Sequence, residues 1–311
     1  MAVCAVQSFG QGLNWEGQTG ALLTPFAYTS GSPATRFGKP EVAFHYLNSG
    51  PVIGNDYQLS VTEGAFSRFE FGYTGAFSSS GDVRTGTLGV LGDSSTSTGV
   101  PSYLFSKGFS ELHGKLTVIS ENAYKTKWVP AIALGAIGRF GAERISYYTL
   151  STMSGPTDTN ADFYVVATKT VTQVKRLPIL LNFGEKVTDA SVFGVAGNAG
   201  SGAGDANQLW QGRLFGAAAF VVKGPKKATL IFGSEAVQQP HYIQGLPKAA
   251  TISTSESYFV RVVPKLEGSP LQVDLAVAQL AGKVVDLPAS AGVVDLQARA
   301  RVGMGISYHF K

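Results

Sequence analysis

From Val294 to Phe310 the even positions (Val294, Leu296, Ala298, Ala300, Val302, Met304, Ile306, Tyr308, Phe310) are all apolar, and the odd ones (Asp295, Gln297, Arg299, Arg301, Gly303, Gly305, Ser307, His309) are polar or glycine. Successive side chains of a strand point to opposite faces, so a strict period of two predicts a strand with one greasy face and one wet face, with charge on the wet one. A helix would mix the two sets.

The same alternation recurs along the chain. PEVAFHYLN sets Val42, Phe44 and Tyr46 against Glu41 and His45, and IGNDYQLSVT sets Tyr57, Leu59 and Val61 against Asp56, Gln58 and Ser60. RFEFGYT sets Phe69, Phe71 and Tyr73 against Arg68 and Glu70. Further strands are expected in HGKLTVISE, WVPAIALGAIGRF, DFYVVATKTVT, LPILLNFGEKV, QGRLFGAAAFVV, KATLIFGSEA, SYFVRVV and PLQVDLAVAQL. Polar, glycine-rich tracts at 78–102, 141–161 and around GNAGSGAGDAN read as loops. The set amounts to about 12 strands, with 10 to about 14 allowed, and links alternating between short and long. The opening GLNWEGQTGALLTPFAYTSGS fits either a first strand or a segment folded into the barrel mouth as a plug.

Composition decides which all-β architecture this is. Of 311 residues 44% are hydrophobic and 15% charged, yet no apolar run approaches the roughly 18 residues of a spanning helix, so the apolar content is spread by alternation. Aromatics gather near expected strand ends (Tyr73, Phe77, Trp128, Phe140, Trp210, Tyr308, Phe310), as in an interfacial girdle. These features favour a single antiparallel transmembrane β-barrel over a soluble sandwich. A closed barrel also leaves no backbone group unpaired in lipid. The net charge of +4, without a dense basic cluster, gives no case for nucleic acid. Residues 1–10 read as the remnant of a secretory signal, with Ser8 and Gly10 placed for a cut before Gln11, and 11–311 as the barrel. The lone Cys4 excludes an intramolecular disulfide.

Two resemblances sharpen this. Gly305, Tyr308 and Phe310 are spaced as in the C-terminal recognition signal of Gram-negative outer-membrane barrels, with the departure that Lys311 follows the aromatic residue. NWEGQTGALLTPFAY, GKPEVAFHYLN and VIGNDYQLSVTEGAFSRFEFGYT together resemble an uncharacterised family, a domain of unknown function, of Gram-negative outer-membrane proteins. These likenesses imply a location in the cell outer membrane, contact with its lipid and handling by the barrel-assembly machinery. They imply no activity and no cofactor.

By parity the lumen receives Glu41, His45, Asp56, Arg68, Glu70, Lys115, Arg139, Glu235, Arg261, Asp274, Arg299 and Arg301, together with Glu121, Lys186 and Asp295. Acids and bases are equal in number in that set, and unpaired burial costs several kcal/mol per ion, so paired networks are expected. A narrow water-lined channel for small polar or weakly anionic solutes and a filled, non-conducting scaffold or assembly partner for other envelope components both fit. An enzyme does not: His45, His113 and His309 share the wet parity, away from any lipid substrate, and no acid/base set can be placed at a rim. No metal site is expected either, because DTNAD (Asp158, Asn160, Asp162) has calcium-like spacing without the glycine and distal glutamate of an EF-hand, and Asx turns explain it better.

Overall fold

The computed structural model describes residues 12–48, 54–80, 108–142, 158–172, 177–198, 209–225, 228–242, 252–264, 271–282 and 300–310. The strands are β1 (Glu41–Asn48), β2 (Gly54–Ala65), β3 (Phe69–Ser80), β4 (Phe109–Ile119), β5 (Ala131–Phe140), β6 (Thr159–Val171) and β7 (Ile179–Thr188). After the two-residue strands β8 (Ala190–Ser191) and β9 (Ala196–Gly197) come β10 (Gln211–Lys223), β11 (Thr229–Val237), β12 (Ser255–Val263), β13 (Leu271–Gln279) and β14 (Arg301–His309). All but β8 and β9 close into one antiparallel barrel of 12 strands in sequence order, sealed where β1 pairs with β14 from Glu41↔His309 to Leu47↔Gly303. β8 and β9 pair only with each other.

Period two becomes geometry on every wall strand. On β14 Val302, Met304, Ile306 and Tyr308 are exposed outward, while Gly303, Gly305 and Ser307 are buried inward. On β6 Phe163 and Val165 face out, and Asp162, Tyr164, Val166 and Thr168 face in. The outer surface is therefore an apolar belt. It includes Leu59, Phe71, Leu134, Phe183 and Leu275, all substantially exposed, as a surface in contact with hydrocarbon requires. The sequence-predicted residues of the assembly signal fall accordingly: Gly305 lies inside, where a Cβ would press on His45, and Tyr308 and Phe310 stack edge to face on the outside with centroids 5.0 Å apart.

The barrel has two unlike rims. At one, β1 begins and β14 ends, and successive wall strands are separated by 3 to 11 residues of sequence, with the turn 66–68 and the segment 120–130 among the described residues. At the other, successive wall strands are separated by 5 to 28 residues of sequence. Phe66 and Ser67, both with positive φ, reverse the chain tightly at the short-turn rim. That reversal corrects one expectation: Arg68 belongs to the turn, not to a strand, and its side chain is exposed at the rim instead of lining the lumen.

Candidate functional site in the barrel lumen

Residues 12–30 settle the two readings of the opening segment: they form no wall strand and fill the lumen. Within them Leu13 bridges Thr19 and Gly20 bridges Pro25, and the turn between is built by Asn14, whose Oδ1 accepts the N–H groups of Glu16 at 3.1 Å and Gln18 at 2.8 Å. Glycine is needed at position 17, where φ is +82° and a Cβ would collide with the Thr74 hydroxyl on β3. Leu13, Trp15, Leu22, Leu23 and Phe26 are all nearly solvent-free, and all but Leu13 join inward side chains of the wall, such as Phe215, Ile231 and Phe259, in one apolar core.

Polar wall positions meet this plug in a repeated way. Cross-strand register first sets ionic partners side by side: Glu70 opposite Lys115 on β3 and β4, Glu111 opposite Arg139 on β4 and β5, Arg261 opposite Asp274 on β12 and β13. Lys115 Nζ sits 2.8 Å from Glu70 Oε1, and Arg261 forks onto Asp274 through Nε at 2.7 Å and Nη2 at 2.9 Å. The capacity left over is then spent on plug backbone. Lys115 donates to the Thr19 carbonyl, Arg261 Nη1 to the Gly20 carbonyl and Asn182 to the Pro25 carbonyl, at 3.1, 2.9 and 3.1 Å. Glu70 accepts the N–H groups of Thr19 and Ser30 and, at 2.5 Å, the Thr19 hydroxyl.

Glu235 on β11 shows how a buried carboxylate is held here by dipoles. It accepts the backbone N–H groups of Leu22 at 3.0 Å, Leu23 at 2.8 Å and Thr24 at 2.9 Å, with the hydroxyls of Thr24 and Ser257 besides. Three successive amides around one carboxylate form an anion-binding nest. Arg139 is the other hub: its guanidinium reaches Glu16 of the plug, Asn160 at 2.9 Å and Asp162 at 2.8 Å, and Lys186 adds a second cation to Asp162 at 3.1 Å. Toward the short-turn rim the Tyr28 hydroxyl donates to Glu121 at 2.9 Å, and burial together with that carboxylate pushes the phenol's pKa up. Beyond the end of β7, burial likewise raises the Asp189 carboxyl, against the lowering effect of the Ala161 N–H it accepts.

The predicted lumen residues divide as follows. Glu41, His45, Glu70, Lys115, Arg139, Glu235, Arg261 and Asp274 all face inward and are buried, Asp56 is half-buried, and Arg301 is half-buried on the inward parity of β14. His45 meets the Leu13 carbonyl at 3.0 Å, and Glu41 accepts the Gly12 N–H at 3.0 Å. Arg299 and Asp295 lie outside the described residues. The expected balance of acids and bases does not hold: among the described residues eight carboxylates (Glu16, Glu41, Glu70, Glu111, Asp162, Asp189, Glu235, Asp274) are buried against four cations (Lys115, Arg139, Lys186, Arg261). Backbone amides of the plug stand in for the missing cations. Glu16 and Glu111 were not foreseen as luminal. Glu111 carries the parity of His113 and Lys115 and was legible by extending β4 two residues back. DTNAD is neither a calcium loop nor a set of Asx turns, because Asn160 and Asp162 are inward positions of β6 bound to Arg139.

Fold and site together define a closed antiparallel barrel with an apolar outer belt, corked by its own N-terminal segment. No protein-family model and no curated protein matches the chain. Among solved structures it is similar to the NanC porin in its rhombohedral crystal form, at 8% identity over 88% of this chain and 99% of that one, with a TM-score of 0.45. It is also similar to OmpT of Vibrio cholerae in trimer form (13% identity, 88% and 98% covered, TM-score 0.33) and to OprB of Pseudomonas putida at high pH (10% identity, 82% and 59% covered, TM-score 0.30). With scores this low, the barrel assignment rests on the closed strand ladder itself.

Proposed function

We propose that the chain is an outer-membrane conduit for small polar solutes that rests shut, with residues 12–30 as its stopper. The observation that carries this reading is the pairing of an apolar belt with a lumen whose charged wall groups are spent on plug backbone, Glu235 and Glu70 above all. Charged side chains that lined a permanently dry core would be better replaced by apolar ones. A wall built to bind a removable segment through hydrogen bonds remains wettable once that segment leaves. Catalysis has no part in this reading, and the acid excess of the wall favours neutral or cationic solutes over the weakly anionic ones expected from sequence. Placement in the Gram-negative outer membrane rests on the belt and on Gly305, Tyr308 and Phe310 as an assembly signal. The periplasm then lies at the short-turn rim.

Planar-bilayer recording tests it. Wild-type protein is expected to give no steady current, and a variant lacking residues 12–30 to give a steady, cation-favouring one. A wild type that conducts as steadily as the deletion variant removes the stopper. A folded deletion variant that stays silent removes the conduit and leaves the non-conducting scaffold in its place.

A further inference from the structure

The balance of charge is worst at one point on the junction between plug and wall. Three buried carboxylates, Glu16 of the plug, Glu111 of β4 and Asp162 of β6, surround two cations, Arg139 of β5 and Lys186 of β7. Asp189, just past β7, adds a further acid to the neighbourhood and accepts the Ala161 N–H. Unlike Glu235, this trio has no nest of plug amides to spread its excess negative charge. Polar atoms are orphaned here: Asp162 Oδ1, Tyr164 Oη and Gln18 Nε2 find no hydrogen-bond partner, although these residues are 0 to 6% exposed. An unpartnered buried polar atom costs about 1–3 kcal/mol, so several together mark a missing species. Glu16, Gln18, Asp162, Tyr164 and Lys186 also line an internal cavity of about 10 Å³, close to the smallest space that admits one water. Asp162 Oδ1 and Tyr164 Oη offer acceptors and Gln18 Nε2 a donor, the mixed set that a water-sized guest uses.

We propose that this junction takes up a single proton, held on its carboxylates or on a water in the cavity, as residues 12–30 dock. The bound charge cancels the excess of the carboxylate trio, so docking and uptake are linked, and the stopper holds more tightly when protons are plentiful. The site rests on the stopper reading. It is tested by a measurement that does not depend on current.

Hydrogen–deuterium exchange of the full chain in lipid vesicles, followed at residues 13–28 as protection factors, is compared from about pH 8 to about pH 5 and between sodium chloride and choline chloride at fixed ionic strength. If the guest is a proton, protection rises on acidification by up to roughly tenfold per pH unit, irrespective of the salt. Protection that rises with sodium over choline at constant pH, and not on acidification, overturns the proton. Glu111→Gln, which removes one charge and keeps the shape, is expected to flatten the pH dependence while the segment stays protected. A segment that is protected but indifferent to both pH and sodium overturns the proton site and leaves the stopper standing. So does Glu111→Gln that retains the full dependence. A segment without protection under any condition removes both. Should Glu111→Gln fail to fold, the wild-type series decides alone.

Discussion

On β13, Leu275 and Val277 look out while Asp274 and Ala276 look in, and the two faces differ in what they ask of a side chain. The outward face needs only to be apolar, because hydrocarbon is a featureless solvent and any greasy side chain serves. The inward face has a specific addressee: Asp274 holds Arg261, which holds the carbonyl of Gly20. One set of positions is therefore interchangeable in kind, and the other is fixed in detail.

The contrast is open to breakage in four steps. Arg139→Met is expected to cost most, about 3–5 kcal/mol, because it strands Glu16, Glu111 and Asp162 without their shared cation. Unfolding in denaturant with an intact-barrel probe would measure it, and a loss under about 1 kcal/mol would mean that the plug is not docked on this group. Leu275→Arg, at the middle of an outward strand face, is expected to cost about 2–4 kcal/mol in folded yield in lipid vesicles. Gln58→Arg looks harmless if the inward face is merely wet. The Gln58 amide, however, is fully buried, turned so that it donates to the Trp15 carbonyl and accepts from the Trp15 indole, so overpacking of about 1–3 kcal/mol is expected. The same substitution made in the variant lacking residues 12–30 should cost little, and equal costs in both would dissolve the distinction between a wet wall and an occupied one. Smallest is Phe69→Arg, on the outward parity but first in β3 beside the rim, where a charge reaches headgroups and the cost falls to about 0–1 kcal/mol. A penalty at Phe69 as large as at Leu275 would shift the belt toward the short-turn rim.

Much of the wall was legible in the sequence, because lipid imposes a rule that needs no partner. Alternation alone places Phe71, Phe163 and Met304 outside and Glu70, Asp274 and Ser307 inside. The plug obeys no such rule. Residues 12–30 have neither period two nor period 3.6, and their conformation is dictated by Glu235, Glu70 and Arg261, which are far away along the chain. For the same reason the ion-pair balance was misjudged: the donors that answer Glu235 and Glu41 are backbone amides, which are invisible in a count of lysines and arginines. Arg68 was misplaced because parity does not announce where a strand gives way to a turn. Asp162 went unread because a strand position that binds Arg139 looks, by spacing alone, like an Asx turn.

The reach of the plug's contacts also orders events in time. Leu13 donates its amide to Ser307, 294 residues away, at 3.3 Å, and neighbouring plug residues depend on Glu41, Glu70, Glu235 and Arg261. No part of that receptor exists until the wall strands are paired, and the side that binds Leu13 exists only once β14 is in place. Closing so long a loop carries an entropic charge that local contacts cannot offset early. Residues 12–30 precede every wall strand in the chain and are nevertheless expected to settle last, after the ring has closed.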